Sequence, residues 1–313
     1  MQSIIYSIVI PVYNTVYSLA ELVERIHAVF SSSVGKGYEI IFIDDASPNP
    51  KTWPALRAIA QQYPQVQAVQ LTRNFGQQAA TLCGMQIARG NYIITMDDDL
   101  QHLPEEIPKL IAMKHHDIVV LEFHAKRHNF FKRITSRIKG WFDRILLGKP
   151  KQVHLSAFRL LNRKVVDGML KIRTPYPFIP AMMLYVSKDI VGVPARHGKR
   201  KEGKSGYSLR KMIFLFNNLL FNNSAFLLKL IAYLGITIAL FSMMFAVHLV
   251  FMRLYHQISI TGWTSLIVSI LFIGGLNLFT IGILGEYLLR IISSVESKPT
   301  YVIRQHIKYA DPA

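Results

Sequence analysis

The sequence predicts an α/β protein: a mostly parallel, Rossmann-like sheet, followed by interfacial helices and two transmembrane helices. Three observations predict it. Short β-branched runs alternate with helical periods through the N-terminal third, the pattern of a parallel sheet covered on both faces. Each of those runs ends in polar residues. Two later stretches, 230–247 and 263–285, contain no charged residue at all.

The first strand is Ser7 to Val12, a β-branched run closed by Pro11 and the turn residues Tyr13-Asn14. Leu19, Leu22, Val23, Ile26 and Phe30 then recur at helical spacing. A second buried strand, Glu39 to Ile43, ends in Asp44-Asp45. A helix over Trp53 to Tyr63 leads to a third strand, Val66 to Leu71, which ends in Thr72-Arg73-Asn74-Phe75-Gly76. A further helix, Gln77 to Arg89, precedes a fourth strand through Tyr92-Ile93-Ile94. That strand delivers three consecutive carboxylates, Asp97, Asp98 and Asp99, ahead of a helix start at Pro104-Glu105-Glu106. Thr300 to Ile303 is expected as a short terminal strand.

A run of acids is ordinarily a solvated loop. At the end of a buried strand, however, three like charges are costly unless a cation or hydrogen-bond donors balance them. Hard oxygen ligands in that position suit Mg²⁺ or Mn²⁺, completed by water and substrate phosphates. Ligands of open α/β sheets bind outside the carboxyl ends of the strands. Tyr13/Asn14, Asp44/Asp45, Arg73/Asn74 and Asp97/Asp99 all fall there. Neither a Gly-x-Gly-x-x-Gly nor a Walker lysine loop is present, which disfavours dinucleotide oxidoreductases and P-loop NTPases.

Composition adds a membrane and an anion to this picture. Of 313 residues, 51% are hydrophobic, and the formal charge is +17; mean hydropathy is +0.25 and the pI about 9.9. Such a balance implies an anionic partner: a membrane surface, a phosphorylated substrate or nucleic acid. Nothing resembling a nucleic-acid recognition motif accompanies the charge, so that partner is not expected. A lone cysteine, Cys83, excludes an internal disulfide and fits a reducing compartment. The first apolar run lacks a basic leader and reads as a strand, not a signal peptide.

Segment 130–147 carries Phe131, Ile134, Ile138, Trp141, Phe142 and Ile145 on one face. Lys132, Arg133, Arg137, Lys139 and Arg144 lie around the rest, with Asp143 the one acid. A helix packed on the sheet is one reading; five cations favour a lipid interface. The uncharged stretches of 18 and 23 residues reach ~27 and ~35 Å as helices, enough to span the hydrocarbon core. The alternative is two buried helices of a large soluble protein, which uncharged runs of this length disfavour. Their connecting loop holds one arginine, while the outer flanks are rich in Lys and Arg. Positive-inside logic therefore puts the catalytic part and both termini in the cytoplasm, on the inner face of the cytoplasmic membrane. The expected organisation is a catalytic domain over 1–208, a juxtamembrane helix over 209–225, a two-helix membrane region over 226–292 and a tail over 293–313.

Seven motifs, in order, resemble glycosyltransferase family 2 and in particular its polyprenyl-phosphate branch. They are Ser-Ile-Val-Ile-Pro-Val-Tyr-Asn (7–14), Ile-Asp-Asp-Ala-Ser (43–47), Arg-Asn-Phe-Gly (73–76) and Met-Asp-Asp-Asp-Leu-Gln-His (96–102). Ala-Phe-Arg-Leu-Leu-Asn-Arg (157–163), His-x-x-Arg-x-x-Gly-x-Ser-Gly-Tyr-Ser (197–208) and Gly-Glu-Tyr-Leu-Leu-Arg (285–290) complete the set. The resemblance implies a GT-A fold and an inverting, metal-dependent transfer from a nucleotide-sugar to a polyprenyl phosphate such as undecaprenyl phosphate. It favours a UDP-sugar and a role in cell-envelope glycan or lipopolysaccharide modification.

By the same resemblance, Pro11, Tyr13 and Asp45 hold the base, with Asp44 supporting. Asp97, Asp99 and Gln101 hold Mg²⁺ or Mn²⁺, while Arg159 and Arg200 approach phosphates; Ser205 joins Asp97 and Arg200 on the donor. Asp97, Asp99, Arg159 and Arg200 form the catalytic set, and a homo-oligomer, a tetramer in several relatives, is expected. Asp98 stands where relatives usually carry a small residue, and Ala157 where several carry an acid proposed as base. The basic run from Arg196 to Tyr207 fits a loop over a diphosphate, a juxtamembrane patch for anionic lipids, or both. Two rivals stand beside this reading. A polysaccharide synthase of the same family would need a Gln-x-x-Arg-Trp motif, which is absent. A non-catalytic lipid- or nucleotide-sugar-binding scaffold would have no use for the acids and arginines retained here.

Overall fold

A computed structural model describes residues 4–35, 37–123, 153–174, 177–196, 198, scattered positions from 233 to 251, 262–296 and 298–308. The elements of the first unit are β1 (Tyr6–Val12), α1 (Ser18–Val29), β2 (Tyr38–Asp44), α2 (Thr52–Gln62), β3 (Val66–Leu71) and α3 (Gln77–Ile87). They continue with β4 (Tyr92–Thr95), α4 (Ile107–Ala112), β5 (Ile118–Phe123), β6 (Arg159–Asn162), α5 (Arg163–Leu170), α6 (Ile179–Val186) and β7 (Ile190–Ala195). Helix α7 (Trp263–Val295) and strand β8 (Ile303–Lys308) follow. The chain divides into two compact units, Met1–Tyr207 with Ser297–Ala313, and Ser208–Glu296.

The eight strands form one sheet in the order β7-β5-β6-β4-β1-β2-β3-β8. The β1, β2, β3 and β4 strands run parallel, as the strand–helix alternation requires. All seven residues of β1 and of β2 are buried, because helices cover both faces. Side-chain alternation sorts the apolar residues into two cores. Ile8, Ile10, Ile40 and Phe42 pack towards α1 and α2. Val9, Ile41 and Ile43 pack with α3, α5 and α6. Helix α3 comes so close to the sheet that a Cβ on Gly84 would overlap Val9 Cγ1 and meet Ile43 Cγ1 at 3.3 Å.

Two strands run against the rest. The β6 strand is antiparallel to both β4 and β5. Its first residue, Arg159, therefore faces Thr95 at the carboxyl end of β4, a placement a parallel crossover would not give. The terminal strand is longer than the expected 300–303 and lies further on: β8 covers 303–308 and pairs antiparallel with β3. The tail is thus the sheet's eighth strand, not a free segment.

Away from the site, Glu39 ties the lower end of the sheet together. Its carboxylate accepts from Ser7 Oγ (2.7 Å), Gln67 Nε2 (2.6 Å) and the Arg89 backbone N–H (2.7 Å), and pairs with the Arg89 guanidinium at 2.9 Å. These bonds satisfy a carboxylate only 2% exposed.

In the second unit α7 is continuous for 33 residues. Leu266, Ile270, Phe272, Ile281 and Leu288 on it are exposed, as are Leu240, Phe241 and Phe245 before it. Among the described residues no helix is long and apolar enough to cross a membrane. The two expected spans are accordingly not established by the fold. Segment 130–147, Arg200, Ser205 and most of 230–247 lie outside the described residues.

Candidate active site

Polar residues gather where the strands end. The Asp45 N–H donates to the Val12 carbonyl at 3.0 Å, joining the ends of β1 and β2. Pro11 is buried, and Tyr13 beyond it is 48% exposed at the mouth. Asn14 takes a left-handed backbone, φ 64°, which asparagine tolerates better than most residues. Its N–H donates to Ser47 Oγ (2.9 Å) and its Oδ1 accepts the Asn49 N–H (3.1 Å), clipping the two loops together.

The paired acids of β2 do different work. Asp44 Oδ1 accepts the Ser47 N–H (3.0 Å) and Oδ2 accepts Gln70 Nε2 (3.1 Å), so it braces the turn. Asp45 accepts the backbone N–H groups of Phe75 (2.7 Å) and Gly76 (2.8 Å), one on each carboxylate oxygen. Burial raises the Asp45 pKa, and those two donors pull it back. The motifs 43–47 and 73–76 are therefore one physical unit.

Of the three acids after β4, two keep to the site and one turns aside. Asp97 is 32% exposed by side chain, and its Oδ1 accepts Gln77 Nε2 at 2.7 Å. Asp99 Oδ1 accepts the Gln101 N–H at 3.1 Å across a turn in which Leu100 takes φ 59°. Asp98 instead bonds the Thr15 side chain, and Ser18 Oγ donates to the Asp98 carbonyl at 2.8 Å. Its Oδ2 is buried without a partner. Burial foremost, with Asp97 and Asp99 adding repulsion, pushes its pKa up to about 7. The extra acid is thus held against the start of α1.

Arg159 is the site's buried cation. It is 4% exposed, its Nη1 reaches Met183 Sδ at 3.4 Å, and its Nε has no partner. Burial lowers its pKa to about 10, against a smaller raising effect from Asp97. It shares a small open cleft with Pro11, Gln77, Thr81, Asp97 and Ala157. Ala157 offers only its carbonyl, which accepts from Thr95 Oγ1 at 2.6 Å.

The donor set can be tested against a divalent ion. Among the described residues no three His, Cys, Asp or Glu side chains gather into a metal cage. Asp97, Asp99 and the amide oxygen of Gln101 are hard oxygen donors on one turn, which fits an ion that borrows its other ligands from water and phosphate. The basic run reaches the same turn: the Gly198 N–H donates to the Gln101 carbonyl at 2.9 Å. A Cβ on Gly198 would collide with the Leu100 carbonyl and meet Leu103 Cδ2 at 2.9 Å. Arg200 and Ser205, beyond it in the chain, are not among the described residues.

The structure brings together Pro11, Tyr13, Asp44, Asp45, Asp97, Asp99, Gln101 and Arg159 at the same end of the sheet. Sequence reasoning placed Asn14 with Tyr13 at the expected site but gave no role to Gln77 or His102. Gln77 opens α3 directly after a strand-end loop, a position that could have signalled it. The His102 signal was weaker, a histidine seven residues past the strand.

The model of "Glycosyl transferase family 2" matches residues 7–169. An undecaprenyl-phosphate 4-deoxy-4-formamido-L-arabinose transferase of Edwardsiella ictaluri (strain 93-146) is 33% identical over 311 residues, 98% of this chain and 95% of the relative. A Bacillus subtilis (strain 168) chain described as an uncharacterised glycosyltransferase is 32% identical, over 96% of this chain and 93% of its own length. Among solved structures, glucosyl-3-phosphoglycerate synthase from Mycobacterium tuberculosis, in complex with Mn²⁺, UDP and phosphoglyceric acid, shares the fold. Its TM-score is 0.50 at 14% identity, covering 69% of this chain and 75% of that one. With the strand-end acids and the matching length in view, the chain belongs to glycosyltransferase family 2, and its activity is glycosyl transfer from a nucleotide-sugar.

Proposed function

We propose that the protein transfers a sugar from a UDP-sugar to the phosphate of a membrane polyprenyl phosphate, undecaprenyl phosphate in a bacterial envelope, with inversion at the anomeric carbon. The observation that carries the reading is Arg159: a buried guanidinium with an unpartnered Nε, in a cleft shared with Asp97. A buried guanidinium with an unmade hydrogen bond is expensive. A phosphate entering the cleft supplies the missing partner, and arginine's planar fork suits it.

The acceptor's phosphate oxygen attacks the anomeric carbon, the bond from that carbon to the diphosphate oxygen breaks, and UDP leaves. A phosphate monoester with a second pKa of about 6 is largely dianionic at pH 7 and needs little base assistance. That agrees with Ala157, which has no proton-accepting side chain. Asp97, Asp99 and Gln101 would hold a Mg²⁺ or Mn²⁺ ion, which supplies charge neutralisation for the leaving diphosphate. Asp45, braced by the Phe75 and Gly76 amides, and Tyr13 lie on the base side. Arg200 and Ser205 are proposed for the diphosphate, carried by a run anchored at Gly198.

An acceptor with a long hydrocarbon tail requires a catalytic site at a bilayer. The uncharged stretches 230–247 and 263–285 and the exposed apolar residues of α7 support a two-span membrane region, with the catalytic unit and both termini cytoplasmic. A homo-oligomer belongs to the same proposal. The test is direct: purified protein in a membrane mimetic, labelled nucleotide-sugars and Mn²⁺, with and without undecaprenyl phosphate. Label should pass into the lipid phase with one donor only in the presence of the acceptor; no transfer from any donor overturns the reading.

A further inference from the structure

His102 is 5% exposed and has no part in the transfer as derived above, yet it sits directly behind the acidic turn. Its Nδ1 accepts the Asp97 backbone N–H at 2.9 Å. An acceptor at Nδ1 fixes the tautomer that carries its proton on Nε2. The same nitrogen lies 3.7 Å from Asp97 Oδ2; since it already accepts a proton from the backbone, that approach is not an ion pair. The ring is stacked on Phe123 at the end of β5, with centroids 5.3 Å apart and planes at 10°. It is also tilted against Phe158 on the approach to β6, at 5.1 Å.

We propose that His102 is a positioning residue for the divalent-ion ligands. Its ring is gripped by two phenylalanines, one at the end of β5 and one just before β6, and its Nδ1 lone pair fixes the backbone of Asp97 and so the spacing between Asp97 and Asp99. The inference rests on the metal reading given above. The physical need is specific. Three adjacent acids repel one another, and the turn between Asp97 and Gln101 contains a left-handed leucine, a strained conformation for a residue with a side chain. Without an outside hold, that turn would relax and the two ligand carboxylates would drift apart. The Asp97 N–H needs an acceptor, and the His102 ring supplies it. A buried neutral imidazole provides one without adding another negative charge. Ser18, bonded to the Asp98 carbonyl, pins the turn from the opposite side.

The experiment compares full-length His102→Phe, which keeps an aromatic ring but has no acceptor, with His102→Asn, which keeps an acceptor but loses the stack. Three quantities are measured: melting temperature, Mn²⁺ affinity in the presence of UDP by electron paramagnetic resonance, and hydrogen exchange of the peptide containing Asp97. The expected result is that His102→Phe melts within a few degrees of wild type but binds Mn²⁺ about tenfold more weakly, with faster exchange at Asp97. His102→Asn recovers most of the affinity and the protection. Affinity and exchange in His102→Phe equal to wild type would overturn the proposal. So would an Asn variant as impaired as the Phe variant, since restoring an acceptor would then restore nothing. Should the Phe ring prevent folding, His102→Leu replaces it as the variant without an acceptor. If wild type binds no Mn²⁺ with UDP, the metal reading fails, while the exchange arm still decides whether His102 holds Asp97.

Discussion

Arg159 and Asp98 are both buried groups with an unpartnered polar atom, and they lead to opposite expectations. Arg159 lines the cleft, and on the proposed reading its unpartnered Nε serves binding. Replacing it with Met should lower kcat/KM by on the order of 10²–10³, the usual effect of removing one preorganised charge-stabilising donor. The same change removes a desolvated cation and is expected to leave the melting temperature unchanged or raised. A variant that transfers normally but melts lower would make the arginine structural. Asp98 turns from the cleft, so its neutralisation should stabilise without costing metal. With a pKa raised to about 7, its folded form holds a proton that the unfolded chain releases near pH 4. Stability therefore falls as pH rises between those values and is level above. Metal-free Asp98→Asn should melt higher than wild type at pH 8, with the gap closing towards pH 4. Equal melting curves at pH 8 would show that the Asp98 carboxylate is better solvated than its surroundings indicate. Asp99→Ala, by contrast, should abolish transfer and leave folding intact, which circular dichroism and the labelled-lipid assay check together.

At the scale of elements, the first four strands and three helices were legible because burial on both faces leaves a simple trace, a β-branched run ended by polar residues. Their observed bounds fall within a residue or two of expectation. The β6 strand and its direction were not legible: Arg159-Leu160-Leu161-Asn162 is four residues long, and nothing in so short a run says which way it points. Yet that reversal brings Arg159 to the site. The Asp45 bonds to Phe75 and Gly76 were hidden for a different reason, since they link loops 30 and 31 residues apart. Helix α3 offers the test at this scale. Gly84→Ala would ordinarily favour a helix by about 1 kcal/mol, but the added methyl overlaps Val9, whose χ1 is stiff. Overpacking of about 1–3 kcal/mol should win, lowering the denaturation midpoint. A higher midpoint would mean that α3 can lift from β1 at little cost.

For the whole molecule, the tail matters because it belongs to the first compact unit, not to the second. After α7, residues 303–308 pair with β3 and close its edge, which would otherwise offer a row of unpaired backbone groups. The tail also grips the loop after β3. The Val302 carbonyl accepts the Thr72 N–H at 2.9 Å, and Arg304 Nη2 donates to the Thr72 carbonyl at 3.0 Å. Thr72 opens the loop whose Phe75 and Gly76 amides hold Asp45. Further bonds, from Trp53 Nε1 to Gln305 Oε1 (3.1 Å) and between His306 and Gln67 (3.0 Å), fix the strand's register. Loosening the tail should therefore weaken donor binding without touching the acids or Arg159. Arg304→Ala removes one exposed hydrogen bond, worth about 0.5–1.5 kcal/mol, so the donor KM should rise roughly twofold to tenfold while kcat changes little. Arg304→Lys, which keeps a donor, should recover part of the loss. Steady-state kinetics at saturating acceptor reads both quantities. If kcat falls and KM holds, the tail acts on the chemical step or on folding, and the path from Arg304 through Thr72 to Asp45 is wrong.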